Sequence, residues 1–273
     1  MAVTGAARGL GEVLVERLVR RGECHAVVGV DLDPTAAEGV RWREADVRDV
    51  AALTAAFAGV DAVVHLAVST SPDAEPEARS DLNRRGTAAV IEAAAGAGVA
   101  HLVVVTSAAV CGAAPDNPVP LDDDAPLRAA PEGVVGELLH LEQLAADARD
   151  EHPALRVTVV RPAALVGAGV DSLVTRHFAS PRLLSVRGTS MRWQFAHADD
   201  VAAAIVVVLA GAVPHDEVSV GCEGWLSEHE VEQLTGLRTV QVPAAVAFST
   251  ADRLHRAGVT PSPASEMSFV VYP

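Results

Sequence analysis

Thr4-Gly5-Ala6-Ala7-Arg8-Gly9-Leu10-Gly11 joins a short apolar run, Ala2–Thr4, to an amphipathic stretch, Leu10–Arg20. Three glycines at that junction permit a tight turn, a close approach of backbone to a pyrophosphate, and close packing of the helix on the strand. The helix start then offers free N–H groups and the positive end of its dipole to phosphate oxygens. Asp31 follows Gly11 by 20 residues, at the end of the next apolar run. Strand, glycine turn, helix and a distal acid together read as a dinucleotide site. Asp31 would accept hydrogen bonds from a ribose 2′-hydroxyl and repel a 2′-phosphate, which favours NAD. Arg8, inside the loop, would grip that phosphate and favours NADP. The sequence leaves the choice between the two cofactors open.

Outward from this loop, short apolar runs alternate with helical patterns. The strand-like runs are His25–Val30, Gly39–Trp42, Ala62–Leu66, Leu102–Thr106 and Arg156–Val160. The amphipathic stretches between them are Val50–Phe57, Arg79–Ala97 and Gly133–Arg149. This order predicts an α/β fold, a Rossmann-type doubly wound parallel sheet with helices on both faces. Runs without polar alternation fit strands covered on both sides. The first strand is oddly short, so either the true start lies upstream or the central strand is abbreviated. Residues 1–160 are expected to form the dinucleotide-binding domain and 161–273 a smaller C-terminal substrate lobe that partly completes it. In that lobe Gly167–Asp171 and Ala179–Gly188 read as loops. Helices are expected at Asp199–Leu209, Ser227–Leu234 and Ala244–Arg256, a strand near Val218, and a turn-rich exit at 261–265.

The chain has 273 residues and a formal charge of −15, with half its residues apolar and 3% aromatic. An acidic field argues against nucleic acid as a partner, and no apolar run is long enough to span a membrane. The N-terminus lacks the basic region and cleavage site of a secretory signal, so the expected location is cytoplasmic. Cys24, Cys111 and Cys222 have neither zinc-ligand nor redox spacing and read as reduced, mostly buried thiols. No metal site is expected. All 21 basic residues are arginine, and Tyr272 is the lone tyrosine.

Further motifs resemble the short-chain dehydrogenase/reductase superfamily, most closely its extended, epimerase/dehydratase branch. Glu44-Ala-Asp46-Val47-Arg48-Asp49 is similar to the segment whose aspartate contacts adenine. Asp61-Ala-Val-Val-His65-Leu66-Ala67 resembles the strand beneath the cofactor, and Asn83-Arg-Arg-Gly86-Thr87 an Asn-x-x-Gly-Thr helix. Thr106-Ser107 resembles the catalytic serine segment. Arg161-Pro162, Gly167 and His197-Ala-Asp199-Asp200-Val201 resemble later landmarks. The resemblance implies NAD(P)H bound by Gly5, Ala7, Arg8, Gly9, Leu10, Gly11, Asp31, Asp46, Val47, Leu66, Ala67, Asn83, Thr106 and Pro162. It assigns His197 and its aspartates to a structural turn, and allows a homodimer packed through Arg79–Ala97 and Gly133–Arg149. The Gly-x-x-x-Gly-x-Gly spacing departs toward the superfamily's shorter, single-domain branch.

The larger departure is catalytic. The family's Tyr-x-x-x-Lys pair is followed four residues later by a glutamate; aligning Glu142 on it puts Val134 at the tyrosine and Leu138 at the lysine. In the family's mechanism the tyrosine donates the proton and the lysine lowers its pKa. Valine and leucine do neither, and a chain without lysine allows no other register. Ser107 can still hydrogen-bond a carbonyl oxygen.

The chain is therefore expected to be an NAD(P)H-dependent ketoreductase acting on a small molecule. The proton would come from the substrate or water, as in a phenol beside the ketone of an aromatic polyketide. Atypical superfamily members that reduce polyketide ketones without the tyrosine are similar in this respect. Two alternatives stand beside it: a non-catalytic NAD(P)-binding sensor, and a sugar-nucleotide epimerase or dehydratase. Glu137 lies near the active face but is ionised and a poor donor; His140 points away and Cys111 packs in the core. His65 is expected to be structural or to support the cofactor. Trp193 stands where a sugar-nucleotide enzyme often has arginine, with Arg192 one residue displaced. Met191, Trp193, Phe195, Trp225 and Phe178 are candidates to line an apolar pocket, although each taken singly reads as ordinary core.

Overall fold

A computed structural model describes every residue except 23, 72–73, 115, 120, 122–124, 190, 258, 260–263 and 273. The chain runs β1 (Ala2–Thr4), α1 (Gly9–Arg21), β2 (Val27–Asp31), β3 (Val40–Glu44), α2 (Val50–Ala56) and β4 (Ala62–His65). It continues with α3 (Pro76–Gly96), β5 (His101–Val105), α4 (Gly133–Glu151), β6 (Arg156–Pro162), β7 (Ala164–Val166), α5 (Leu173–Ala179) and β8 (Leu183–Val186). The last elements are β9 (Arg192–Trp193), β10 (Phe195–His197), α6 (Ala198–Leu209), β11 (Glu217–Val220), β12 (Leu226–Ser227), α7 (Glu228–Thr235), β13 (Thr239–Val242) and α8 (Ala244–Arg256). A 3-10 helix, Ala264–Val270, closes the chain.

Seven strands form one parallel sheet in the order β11-β6-β5-β4-β1-β2-β3. This is the doubly wound arrangement, whose crevice opens where the strand order reverses, between β1 and β4. One face carries α2, α3 and α4 over a core that includes Leu53, Phe57, Val90, Leu102 and Val157. The other carries α1 and α6 over Leu14, Leu18, Val64, Val103 and Ile205. Strand β11 and helix α6 both lie beyond residue 160, yet one extends the main sheet and the other packs on α1.

The abbreviated first strand is compensated by backbone bonds beyond its ends. Val28 N–H donates to the Met1 carbonyl (2.9 Å), Gly5 N–H to Val30 (2.9 Å) and Leu66 N–H to Thr4 (3.1 Å). Its side chains are fully buried between both helical layers.

One expectation fails in the lobe. The stretch read as a loop, Ala179–Gly188, contains β8, which pairs in parallel with β13. Only four residues long, this strand is flanked by the turn signals Ser-Pro and Gly-Thr, which dominate a local reading. The expected turn at 261–265 falls mostly outside the described residues. The chain after it folds back as the 3-10 helix and packs with α8. Among the described residues no helix is long and apolar enough to cross a membrane.

Candidate active site

A cavity of about 660 Å³ opens along the carboxyl ends of the strands. That size lies within the range of small-molecule and cofactor sites.

At one end is the glycine loop. A Cβ on Gly5, whose φ is +68°, would lie 2.7 Å from the Ala67 amide nitrogen. A Cβ on Gly11 would lie 1.9 Å from the Gly5 carbonyl oxygen, so α1 can start against the loop only with glycine there. The N-cap residue of α1, Arg8, has extended backbone and makes no side-chain cap bond. The helix start thus presents its N–H groups and positive dipole end to the cavity, a ready anion site. Beyond the end of β2, the Asp31 carboxylate accepts the Ala7 N–H (3.1 Å) and the Asp33 N–H (3.2 Å). Arg8 donates to Asp33 at 2.6 Å, both side chains being largely exposed.

Gly5, Arg8, Gly9, Leu10, Gly11, Asp31, Asp46, Val47, Leu66, Ala67, Thr106 and Pro162 line the cavity, as do Ser107, Val134 and Leu138. Two expected cofactor contacts do not. Ala7 acts through its backbone on Asp31, and Asn83 is buried beneath the floor. The Asn83 side chain donates to the Ser69 carbonyl (2.9 Å) and to Glu137 (2.7 Å), and accepts the Ser69 N–H (2.8 Å), fixing the loop after β4. Asp46 keeps its place at the wall, but both carboxylate oxygens are engaged by Arg48, at 2.6 and 2.9 Å. Those bonds hold its carboxyl below the usual range.

At the other end, Ser107 follows β5 in extended conformation, and its hydroxyl accepts the Ala109 N–H at 3.2 Å. Helix α4 is fixed behind it by buried charge. Glu142 accepts from the Thr106 hydroxyl (2.8 Å) and pairs with Arg161 (2.6 Å). Glu137, on the same helix, is buried and pairs with Arg79 of α3 at 3.1 Å. Val134 and Leu138 present an apolar surface at the start of this helix.

His65 is structural. Its ring is fully buried between the hydroxyls of Thr4 (2.7 Å) and Thr87 (3.0 Å), and burial lowers its pKa to about 4. His140 borders a separate surface depression with Arg84, away from the cavity. Cys111 is buried with Val110, Leu138 and Leu141, which pushes its thiol up. The expectation of mostly buried cysteines fails, however: Cys24 is half-buried and Cys222 lies exposed after β11. His197 caps α6, its ring nitrogen accepting the Asp199 N–H at 3.3 Å.

Of the two readings of the lobe's aromatics, core and pocket wall, the structure shows core for most, and none of the five lines the cavity. Trp193, Phe178 and Phe195 join Met191 in the lobe's own core, with His177 stacked on Trp193 at 5.5 Å. Arg192 lies over the half-exposed Trp225 ring at 5.4 Å. With so few aromatics, a small lobe has used those it has for its own burial.

Glu266 and Phe269 reach the cavity from the C-terminal 3-10 helix, and sequence reading passed over both. Glu266 is only 6% exposed, and desolvation by burial raises its carboxyl pKa. The available signal was a single acid in an otherwise uncharged tail, Met267-Ser-Phe-Val-Val-Tyr272.

A glycine loop on an uncapped helix, a distal aspartate and a serine after β5 thus share one cavity. The family model described as the NAD dependent epimerase/dehydratase family matches residues 1–221. The chain belongs to this epimerase/dehydratase family.

Among its relatives is the uncharacterized protein Rv0501 of Mycobacterium tuberculosis (strain ATCC 25618 / H37Rv). It is 27% identical over 267 residues, covering 93% of this chain and 70% of Rv0501. L-arabinose 1-dehydrogenase (NAD(P)(+)) of Haloferax volcanii is 39% identical over 107 residues, 39% of this chain and 40% of that enzyme. Among solved structures, MoeE5 in complex with UDP-glucuronic acid and NAD superposes with a TM-score of 0.70. Its identity is 27%, with 89% of this chain and 85% of that one covered. The superposition places this epimerase/dehydratase family member within the NAD-binding Rossmann-like fold.

Proposed function

We propose that the chain is an NAD-dependent oxidoreductase that interconverts a ketone and an alcohol on a compact, uncharged, largely apolar substrate. The observation that carries this reading is the charge distribution of the cavity. Among its described lining residues the one arginine is Arg8, at the cofactor end. The substrate end has Val68, Val134, Leu138, Leu165, Val174 and Phe269 with two acids, Asp171 and Glu266. Among the described residues such a surface has no lining arginine to meet the negative charge of a nucleoside diphosphate, whereas a neutral ring or chain buries against its apolar side chains.

The residues present fit a dinucleotide: the uncapped start of α1 suits the pyrophosphate and Asp31 the adenosine ribose. Arg8 is paired with Asp33, so two carboxylates face the 2′ position and favour NAD over NADP. When bound, the nicotinamide supplies or accepts the hydride. Ser107 holds the substrate oxygen as charge develops on it. Val134 and Leu138, where the resemblance puts tyrosine and lysine, exclude water from that oxygen. Apolar ketones, aromatic polyketide-like ones included, fit this description; a substrate phenol would relieve the site of part of its proton transfer.

The second reading, sugar-nucleotide epimerisation or dehydration, is favoured by the UDP-sugar bound to MoeE5. It is tested against the first by following NADH oxidation with 1-tetralone and a hydroxynaphthoquinone, and sugar products from UDP-glucose. The proposed reading expects turnover of the ketones and none of UDP-glucose. Turnover of UDP-glucose alone establishes the second. NADH binding with neither turnover assigns a sensor role.

A further inference from the structure

We propose that Glu266 is the proton donor of this site, its carboxyl group protonating the substrate oxygen held by Ser107; this rests on the oxidoreductase reading. Glu266 is buried, yet it lines the same cavity as Ser107, Val134 and Val135. It arrives from the C-terminal 3-10 helix at the first turn of α4 and meets the backbone N–H of Val134. A carboxyl group from the last 3-10 helix thus meets the helix turn that carries Val134, the residue where the resemblance puts the tyrosine.

Burial and the surrounding charges decide which form it takes. Glu266 faces Arg79 of α3, Glu137 and the Val134 N–H of α4, and His255 of α8. Arg79 is already engaged by Glu137, at 3.1 Å, and Glu137 also accepts from Asn83 at 2.7 Å. Arg79, His255 and the Val134 N–H pull the Glu266 pKa down and Glu137 pushes it up, but desolvation by burial is the largest influence and raises it. A raised carboxyl pKa brings a glutamic acid toward the range in which general acids operate near neutrality.

The other carboxyls on the cavity wall are committed elsewhere. Asp46 is held by Arg48, Asp171 by Arg176 at 2.6 Å, and Asp33 by Arg8 at 2.6 Å. Asp31 accepts the N–H groups of Ala7 and Asp33 at the glycine end. Among the described carboxyls that line the cavity, Glu266 is the buried one.

In the step, the hydride for the carbonyl carbon would be supplied by a bound reduced nicotinamide, which would be oxidised in exchange. The C=O π electrons move to oxygen, which takes the Glu266 proton and becomes a hydroxyl. Glu266 is left as carboxylate, transiently stabilised by the Val134 N–H and Arg79, and solvent returns its proton. Reversed, the same carboxylate removes the alcohol proton during oxidation.

The test compares wild type with Glu266→Gln and Glu266→Asp, using NADH and 1-tetralone. Glutamine keeps an acceptor for the Val134 N–H but donates no proton. We expect kcat to fall about 10²-fold or more in the glutamine variant and to recover partly with aspartate, with NADH affinity within twofold throughout. Wild-type kcat for reduction should fall as pH rises through the Glu266 pKa, and that limb should vanish in Glu266→Gln. Independently of turnover, the infrared difference between NADH-bound wild type and Glu266→Gln should show a protonated carboxyl that persists above the ordinary carboxylate range. A glutamine variant within threefold of wild type overturns this inference alone. So does a slow variant that keeps the wild-type pH limb and shows no protonated carboxyl, because Glu266 is then a structural cap of α4. A wild type that binds NADH but turns over neither ketones nor UDP-glucose overturns the oxidoreductase reading itself, and the inference with it.

Discussion

The two ends of the cavity are both built at the start of a helix, yet they are held by different physics. At α1 the geometry is backbone: a left-handed Gly5, a Gly11 with no room for a Cβ, and N–H groups without a side-chain cap. At α4 it is buried ion pairs, Arg161 with Glu142 and Arg79 with Glu137, joined by the buried Glu266 carboxyl group from the last ten residues. Backbone geometry is local and leaves glycines at fixed spacing. Buried charge is assembled from residues far apart in the chain and leaves no spacing at all. The first kind of site can be read from a sequence, and the second cannot.

Breaking either end separates the two. Removing one partner of a buried ion pair strands the other, so Glu142→Gln is expected to cost about 3–5 kcal/mol in urea unfolding. It should also loosen α4, seen as faster amide exchange in 133–142. Gly11→Ala drives a methyl group into the Gly5 carbonyl. It should cost about 3 kcal/mol and abolish NADH binding while leaving exchange in α4 unchanged.

Acid provides a third probe. Burial lowers His65 and His177 to about 4, below their unfolded value of about 6.5. Between those values the unfolded chain binds more protons than the folded one, so stability is full above about 6.5 and falls as pH drops toward 4. The loss should reach up to about 3 kcal/mol for each ring, and His177→Phe should remove the lobe's share while leaving that of His65. The smallest effect is at the surface. The Arg8–Asp33 pair is exposed and adds little stability. Asp33→Ala should therefore leave the unfolding midpoint unchanged and shift cofactor preference toward NADPH about tenfold, or about 1.4 kcal/mol.

The sheet was legible because its strands are continuous apolar runs and its helices are periodic; β1 to β6 and α1 to α4 fall close to where those patterns put them. The lobe was less legible. Strand β8 is short and framed by turn residues, and the aromatics that suggested a pocket are the lobe's core. Most of the glycine end of the cavity follows from its motif, apart from Ala7 and Asn83, which act one layer behind the surface. At the α4 end the sequence marked Ser107, Val134 and Leu138 as what lines the wall. It did not mark Glu266, whose partners lie in α3, α4 and α8. That the chain has no lysine and a single tyrosine was plain from composition, whereas the carboxyl proposed here as proton donor became visible only once the last 3-10 helix was placed against α4.

The central claim is that the glycine loop and the uncapped start of α1 hold NAD. Calorimetric titration of the wild-type protein with NADH tests it most directly. Saturable binding at one site per chain, lost in Gly11→Ala and kept in Glu266→Gln, is the expected result. Failure of the folded wild-type protein to bind NADH or NADPH at millimolar concentration would contradict it.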